Sequence, residues 1–303
     1  RLIEEFMVLA NVSAAETLIA KKSPLLFRVH EEPSPEKLDA LRETAKASGY
    51  VLAKGQVLKT AHLNRLLNDA AGSDDAELIN LSTLRSMTQA YYSPSNFGHF
   101  GLALPRYAHF TSPIRRYSDL IVHRALISVH GWGKDGLRPE DEESLDETAN
   151  HISETERRSM VAERDTTDRY LAAYLSERVG NEFTGRISGI ARFGLFVKLD
   201  ETGADGLVPM SSIGNEYFHF DAEANTLMGA DSGRIISLGQ SAVVRLSEAV
   251  PVTGGIALEL LELDGKKLMQ GRSSPAGRAP RRRSVKARRK TDKVKRKVKR
   301  SRR

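Results

Sequence analysis

Tyr107-Ala108-His109-Phe110-Thr111-Ser112-Pro113-Ile114-Arg115-Arg116-Tyr117-Ser118-Asp119-Leu120-Ile121-Val122-His123-Arg124 joins a short aromatic-rich segment to a helix-start signal and two adjacent arginines. Ser112 is a residue type that caps helix N-termini, and Pro113 suits the first helical position, where its missing N–H costs nothing. Ile114, Tyr117, Leu120 or Ile121 and Ala125 then repeat at helical spacing, which predicts a helix from Pro113. A helix start beside Arg115 and Arg116 offers free N–H groups, the positive end of the dipole and two guanidinium groups. That combination holds an anion such as phosphate. The same spacing also fits an ordinary capped amphipathic helix with solvated arginines.

Upstream, residues 1–22 read as one helix, with Leu2, Phe6 and Leu9 and with Ile3, Met7, Ala10 and Ala14 at three- and four-residue intervals. Pro24 ends it, and residues 24–30 form a short strand-like run. Ser34-Pro35 opens a second helix that Gly49 stops, a third spans Thr60 to Gly72, and a fourth runs from near Asp74 towards Tyr91. His30 and His62 have no partner spacing and are not read as metal ligands. Residues 95–110 return to extended structure. Downstream, residues 140–178 contain no Gly or Pro and read as almost continuous helix. The cluster Asp141-Glu142-Glu143 suits a solvated first turn, because consecutive helical positions point around the axis and not at one ion.

Gly180 marks a boundary where the periodicity changes to that of strands: residues 182–190, 193–199, 206–209, 243–246 and 256–261. Five short strands over roughly 80 residues suit a small Greek-key barrel. Alternate strand positions face one way and residues three apart do not, so at least one of Phe193 and Phe196 faces outward. The role of Tyr217, Phe218 and Phe220 stays open.

The chain has 303 residues, enough for about two domains. It has no cysteine, which excludes disulfides and Cys-ligated zinc and fits a reducing cytoplasm. No apolar run reaches the roughly 20 residues that span a bilayer, so no membrane partner is expected. The net charge of +7 conceals two opposite parts. Residues 265–303 hold 19 of the 46 Lys and Arg against Asp292 alone, leaving 27 bases and 38 acids, a net of −11, for residues 1–264. The tail reads as disordered and binds nucleic-acid phosphates without sequence preference. RNA binding by the body must rest on particular sites.

His109-Phe110-Thr111-Ser112-Pro113-Ile114-Arg115-Arg116-Tyr117-x-Asp119-Leu120-x-x-His123-Arg124, with Gly98-His99-Phe100-Gly101-Leu102-Ala103-Leu104 before it, resembles the signature of the ribonuclease II and ribonuclease R (RNB) family of hydrolytic exoribonucleases. Ile3-Glu4-Glu5-Phe6-Met7-Val8-Leu9-Ala10-Asn11 resembles that family's helix beside the catalytic channel. The resemblance implies an α+β chain: residues 1–179 are the C-terminal part of a mixed α/β catalytic domain, residues 180–264 an RNA-binding barrel, and residues 265–303 the disordered basic tail. The barrel segment, through Gly185-x-Ile187, Phe193-Gly194-x-Phe196-Val197 and Asp205-Gly206-Leu207-Val208, is similar to the five-stranded OB-fold module repeated in the largest protein of the bacterial small ribosomal subunit. Pro209 stands where that module usually has His.

What the resemblance implies about chemistry is processive 3′-to-5′ hydrolysis of RNA, structured RNA included, to nucleoside 5′-monophosphates. Arg115 matches the active-site arginine, and Arg116 supports it on the substrate backbone. Glu163, in the Glu163-Arg164-Asp165 segment of the long helix, approaches the same site. Glu4 or Glu5 reads the substrate ribose, unless both are simply solvated helix-start acids. His109, Thr111, Ser112, Arg186, Phe193 and Phe196 are the expected RNA contacts. The family uses Mg²⁺ held by closely spaced aspartates; no such set occurs in this sequence, so the ligands are expected upstream of Arg1, in a longer protein of which this is a fragment. The tail suggests a ribosomal or other ribonucleoprotein partner. A non-catalytic RNA-binding module, acting through the barrel and tail, is the alternative.

Overall fold

The computed structural model describes residues 1–53, 59–73, 75–214, 216–221 and 225–267. The basic tail beyond residue 267, and Asp74 at the expected start of the fourth helix, lie outside the described residues.

The chain folds as a mixed α/β body followed by a β-barrel. In the body, α1 (Leu2–Ala20), β1 (Phe27–Val29), β2 (Tyr91–Ser93) and α5 (Tyr117–His130) enclose one apolar core. β1 and β2 pair antiparallel, with Arg28 opposite Tyr92. A second, smaller core lies among α2 (Pro35–Ala47), α3 (Thr60–Ala70) and α4 (Ala76–Ser86). Ser34 caps α2 as its sequence predicts, its hydroxyl accepting from Lys37 N, with Pro35 at the first position. α4 ends at Ser86, short of the Tyr91 expected, because Tyr91 is needed in the β2 ladder.

α1 buries only part of its apolar stripe. Asn11, Ala14, Ala15 and Leu18 are buried, whereas Leu2, Ile3, Phe6 and Leu9 are mostly exposed. The core therefore meets only the second half of the helix, where small residues permit close approach.

The continuous helix expected over 140–178 is two: α6 (Pro139–Glu143) and α7 (Leu145–Ser176), broken at Ser144. α7 has 32 residues, a length of about 48 Å at the usual rise. Leu145 and Ala149 enter the body core, while Ala172 and Leu175 enter the barrel core. Residues 157–167 between them are exposed on every side, which is where the charges sit. α7 is thus a strut with one end in each core.

In the barrel, β3 (Glu182–Ala191), β4 (Gly194–Leu199), β5 (Asp205–Pro209), β9 (Ser241–Val250) and β10 (Gly255–Leu263) contain all five expected strands. They close a ring in the order β3-β4-β5-β10-β9, the β5–β10 contact parallel and the others antiparallel. The structure adds β6 (Phe218–Asp221), β7 (Thr226–Gly229) and β8 (Ile235–Ile236), a small sheet between β5 and β9, and the edge pair β11 (Lys266–Lys267). The unassigned aromatic cluster falls there: Phe218 is buried with the barrel core, and Tyr217 is exposed against His219. The barrel seats on the body through α4, whose Leu78 and Leu81 pack on the barrel core and whose Arg85 donates to the Ser188 carbonyl at 2.5 Å.

Candidate nucleic-acid interface

The opening motif departs from the predicted helix start. Residues 112–116 form a tight turn in which the Ser112 carbonyl accepts from Arg115 N (3.3 Å) and Arg116 N (3.2 Å), and α5 begins only at Tyr117. Ser112 is not the cap. Its own N–H donates to Asp119 Oδ1 at 2.7 Å, and the same oxygen accepts from the Arg116 guanidinium at 2.7 Å. Asp119 Oδ2 accepts from Ser118 Oγ at 3.1 Å. Asp119 is wholly buried in the first turn of α5, so the positive end of that helix is already matched by an internal carboxylate. The anion site expected at the helix start is therefore filled from within.

Arg115 and Arg116 consequently differ. Arg116 is spent on Asp119, and its Nε is buried without a partner among the described residues, as is the Thr111 hydroxyl. Ile114 is fully exposed at the turn's tip, off the helix on which its spacing placed it. Arg115 is exposed beside it and forms no ion pair among the described residues. One guanidinium is held inside and the other is offered to solvent.

The segment leading into the turn is held by Asn11 of α1. Its amide oxygen accepts from Phe110 N (2.9 Å) and Thr111 N (3.2 Å), and its Nδ2 donates to Tyr107 Oη (3.0 Å). His123, one helical turn beyond Asp119, bonds the Phe110 carbonyl at 2.9 Å and stacks on the Phe110 ring at 4.3 Å. Tyr92 shares a 2.9 Å hydrogen bond with His109 Nδ1, while its N–H donates to Ser153 Oγ on α7. Arg28 lies over the Tyr92 ring and makes a bidentate pair with Glu156 of α7 at 2.7 and 3.1 Å. Asn11, Asp119, Tyr92 and the Arg28–Glu156 pair are the supports that the sequence did not single out.

Burial lowers the His109 pKa to about 3, reinforced by the charges of Arg116 and Arg28. Burial likewise lowers His99 to about 4, with His30 the next cause. Both rings are neutral near pH 7. His109 can therefore offer RNA a ring face or one hydrogen bond and no charge.

Glu163 stands two turns beyond Glu156 on the same face of α7, exposed and without an ion pair among the described residues. Glu4 and Glu5 sit exposed in the first turn of α1, on the same helix as Asn11 but remote from it. Neither acid is hydrogen-bonded through its side chain to the Thr111–Arg116 turn. Among the described residues no group of three or more His, Asp or Glu side chains comes together in a way that could hold a metal ion.

On the barrel, Phe193 is 60 % exposed and meets the half-buried Phe196 edge to face at 5.9 Å. A Cβ on Gly189 would press into the Phe196 ring, so glycine is what lets that ring lie across β3. A Cβ on Gly194 would strike the Val208 carbonyl, which explains glycine beside the outward phenylalanine. Arg186 is exposed, bonds the Gly239 carbonyl at 3.3 Å and lies opposite Lys198 in the β3–β4 ladder. Lys198 is two positions from Phe196 on the same face, a second cation that alternation along β4 would have revealed. Pro209 ends β5 opposite Gly194, and the next N–H, from Met210, bonds the Phe193 carbonyl at 2.9 Å. Phe193→Ala removes an exposed ring, and single-stranded oligoadenylate should then bind about fivefold more weakly, as loss of one stacking platform implies. Fluorescence anisotropy at moderate salt, with the melting temperature as control, reads this effect.

Residues 1–130 match the family described as the RNB domain, and residues 176–260 the S1 RNA binding domain. Ribonuclease R of Escherichia coli (strain K12) is 43% identical over 258 residues, 82% of this chain and 32% of that protein. The apo form of Mycoplasma genitalium RNase R superposes with a TM-score of 0.78 at 32% identity, covering 85% of this chain and 41% of that one. The same enzyme in complex with ribose methylated single-stranded RNA gives the same values. This chain spans about a third of the length of the curated relatives it matches. Among the described residues no helix is long and apolar enough to cross a membrane.

Proposed function

The chain belongs to the RNB family of ribonucleases, and from that premise we propose that it supplies the phosphate-facing half of a 3′-to-5′ exoribonuclease site. The observation that carries this reading is the state of Arg115: an exposed guanidinium, without an ion pair among the described residues, on a turn fixed by Asn11 on one side and Asp119 on the other. A rigidly presented guanidinium is suited to the charge that develops on a phosphodiester oxygen during hydrolysis, where it acts without reorganisation. Glu163 is the acid of α7 assigned to the same site, and Glu4 or Glu5 the ribose contact. In the full enzyme divalent ions would activate the water, held by acidic residues that the resemblance places upstream of Arg1.

We read the barrel as an OB fold that grips single-stranded RNA by stacking on Phe193 and Phe196, with Arg186 and Lys198 on the backbone. Residues 1–179 then act as the catalytic portion, residues 180–264 as the RNA-binding domain, and residues 265–303 as an electrostatic anchor on RNA or a ribonucleoprotein such as the ribosome. The products are nucleoside 5′-monophosphates, from structured RNA as well as single strands.

A chimera joining this chain to the remaining N-terminal portion of Escherichia coli ribonuclease R tests the reading. It should degrade a 5′-labelled RNA from its 3′ end in Mg²⁺, while this chain alone leaves the RNA intact. A folded chimera that binds RNA and releases no monophosphate would favour the second reading, a non-catalytic RNA-binding module; the lack of any three-acid cluster among the described residues is what supports that one.

A further inference from the structure

We infer that Asp119 is the positioning residue of the Arg115 site, and that Arg116 acts through Asp119 and does not itself contact RNA. The inference rests on the reading of Arg115 as the phosphate contact. Three groups converge on one carboxylate, Ser112 N, the Arg116 guanidinium and Ser118 Oγ, and the Ser112 carbonyl separately ties back Arg115 N and Arg116 N. Asp119 therefore connects the entry of the turn, Ser112, to its exit, Arg116. The three residues left between them, Pro113, Ile114 and Arg115, are the exposed ones. A five-residue turn closed at both ends on a buried anchor has little freedom left, so Arg115 is presented in a narrow range of directions.

The same arrangement decides between the two arginines. A guanidinium bonded to a carboxylate has that charge neutralised and one edge of its fork occupied. Arg116 is in that condition and Arg115 is not. Two adjacent free guanidiniums would also repel one another. Pairing Arg116 inward removes that repulsion and leaves a single cation for the phosphate.

Arginine-specific labelling with phenylglyoxal, resolved by fragment-ion mass spectrometry, tests this on the intact chain with a single-stranded oligoadenylate as probe. In the free chain Arg115 should label about tenfold faster than Arg116, whose fork is engaged. The oligonucleotide should slow Arg115 labelling severalfold. Asp119→Asn should free Arg116 to label at the rate of Arg115 and remove the RNA protection of Arg115, with labelling of the exposed Arg192 unchanged. Arg116→Lys keeps a cation on Asp119 and should retain that protection.

Equal labelling of Arg115 and Arg116 in the unaltered chain overturns the inference without any variant. So does a folded Asp119→Asn chain whose Arg115 stays protected, or loss of protection in Arg116→Lys. If Asp119→Asn fails to fold, the unaltered chain and Arg116→Lys still decide. Absence of RNA protection at Arg115 in the unaltered chain strikes the phosphate reading instead, with the Arg115 to Arg116 labelling ratio left to report on Asp119 alone.

Discussion

Arg115→Ala should slow RNA hydrolysis by the chimeric enzyme about a hundredfold, with most of the loss in kcat, since removing one preorganised donor to a developing oxyanion costs that order. The side chain is exposed and makes no ion pair among the described residues, so its removal leaves no buried charge and the melting temperature should not move. Arg115→Lys should recover only part of the rate, because an ammonium keeps the charge and loses the planar fork that meets two phosphate oxygens together. Single-turnover assays on a 5′-labelled RNA separate the chemical step from product release. A loss of less than about tenfold would remove Arg115 from the reacting phosphate. A loss confined to KM would make it an ordinary backbone contact.

The contrast between the two arginines could not be read from the sequence. Helical spacing from Pro113 places Asp119 as one polar residue in a second turn, and nothing local says that it reaches back to Ser112 and Arg116. Asn11 is harder still, since its partners Tyr107, Phe110 and Thr111 lie about a hundred residues away. What was legible was whatever depends on neighbours in the chain. Ser34-Pro35 announced α2, and alternation across residues 182–199 announced β3 and β4. The β6–β8 sheet was missed because its strands are only four, four and two residues long, too short for alternation to declare itself. The break at Ser144 was missed because it uses neither Gly nor Pro. The apolar stripe on α1 misled because periodicity cannot tell which half of a helix its neighbours cover.

Acid should loosen the support of Arg115 before it unfolds the barrel. His109 and His99 have folded pKa values of about 3 and about 4, below the 6.5 of an ordinary histidine. In this range the unfolded chain binds more protons than the folded one, so stability is fully present above pH 6.5 and is lost as pH falls towards the folded values. Between pH 6.5 and pH 5 the two sites together should cost about 2 kcal/mol, His99 counted at less than its full share because solvent partly screens it. The cause is local. A proton on His109 would place a cation facing Arg116 and Arg28, while Asp119, the carboxylate that faces it, is already held by Ser112, Arg116 and Ser118. Urea midpoints at constant m measure the loss, and His99→Gln with His109→Gln together should flatten it, since glutamine does not titrate. A midpoint unchanged between pH 6.5 and pH 5 would mean that these rings are not buried neutral. Because His109 sits two residues before Thr111, the same acid step should also reduce RNA protection of Arg115, and the glutamine pair should restore it. The pH profile then reports on the scaffold of the turn.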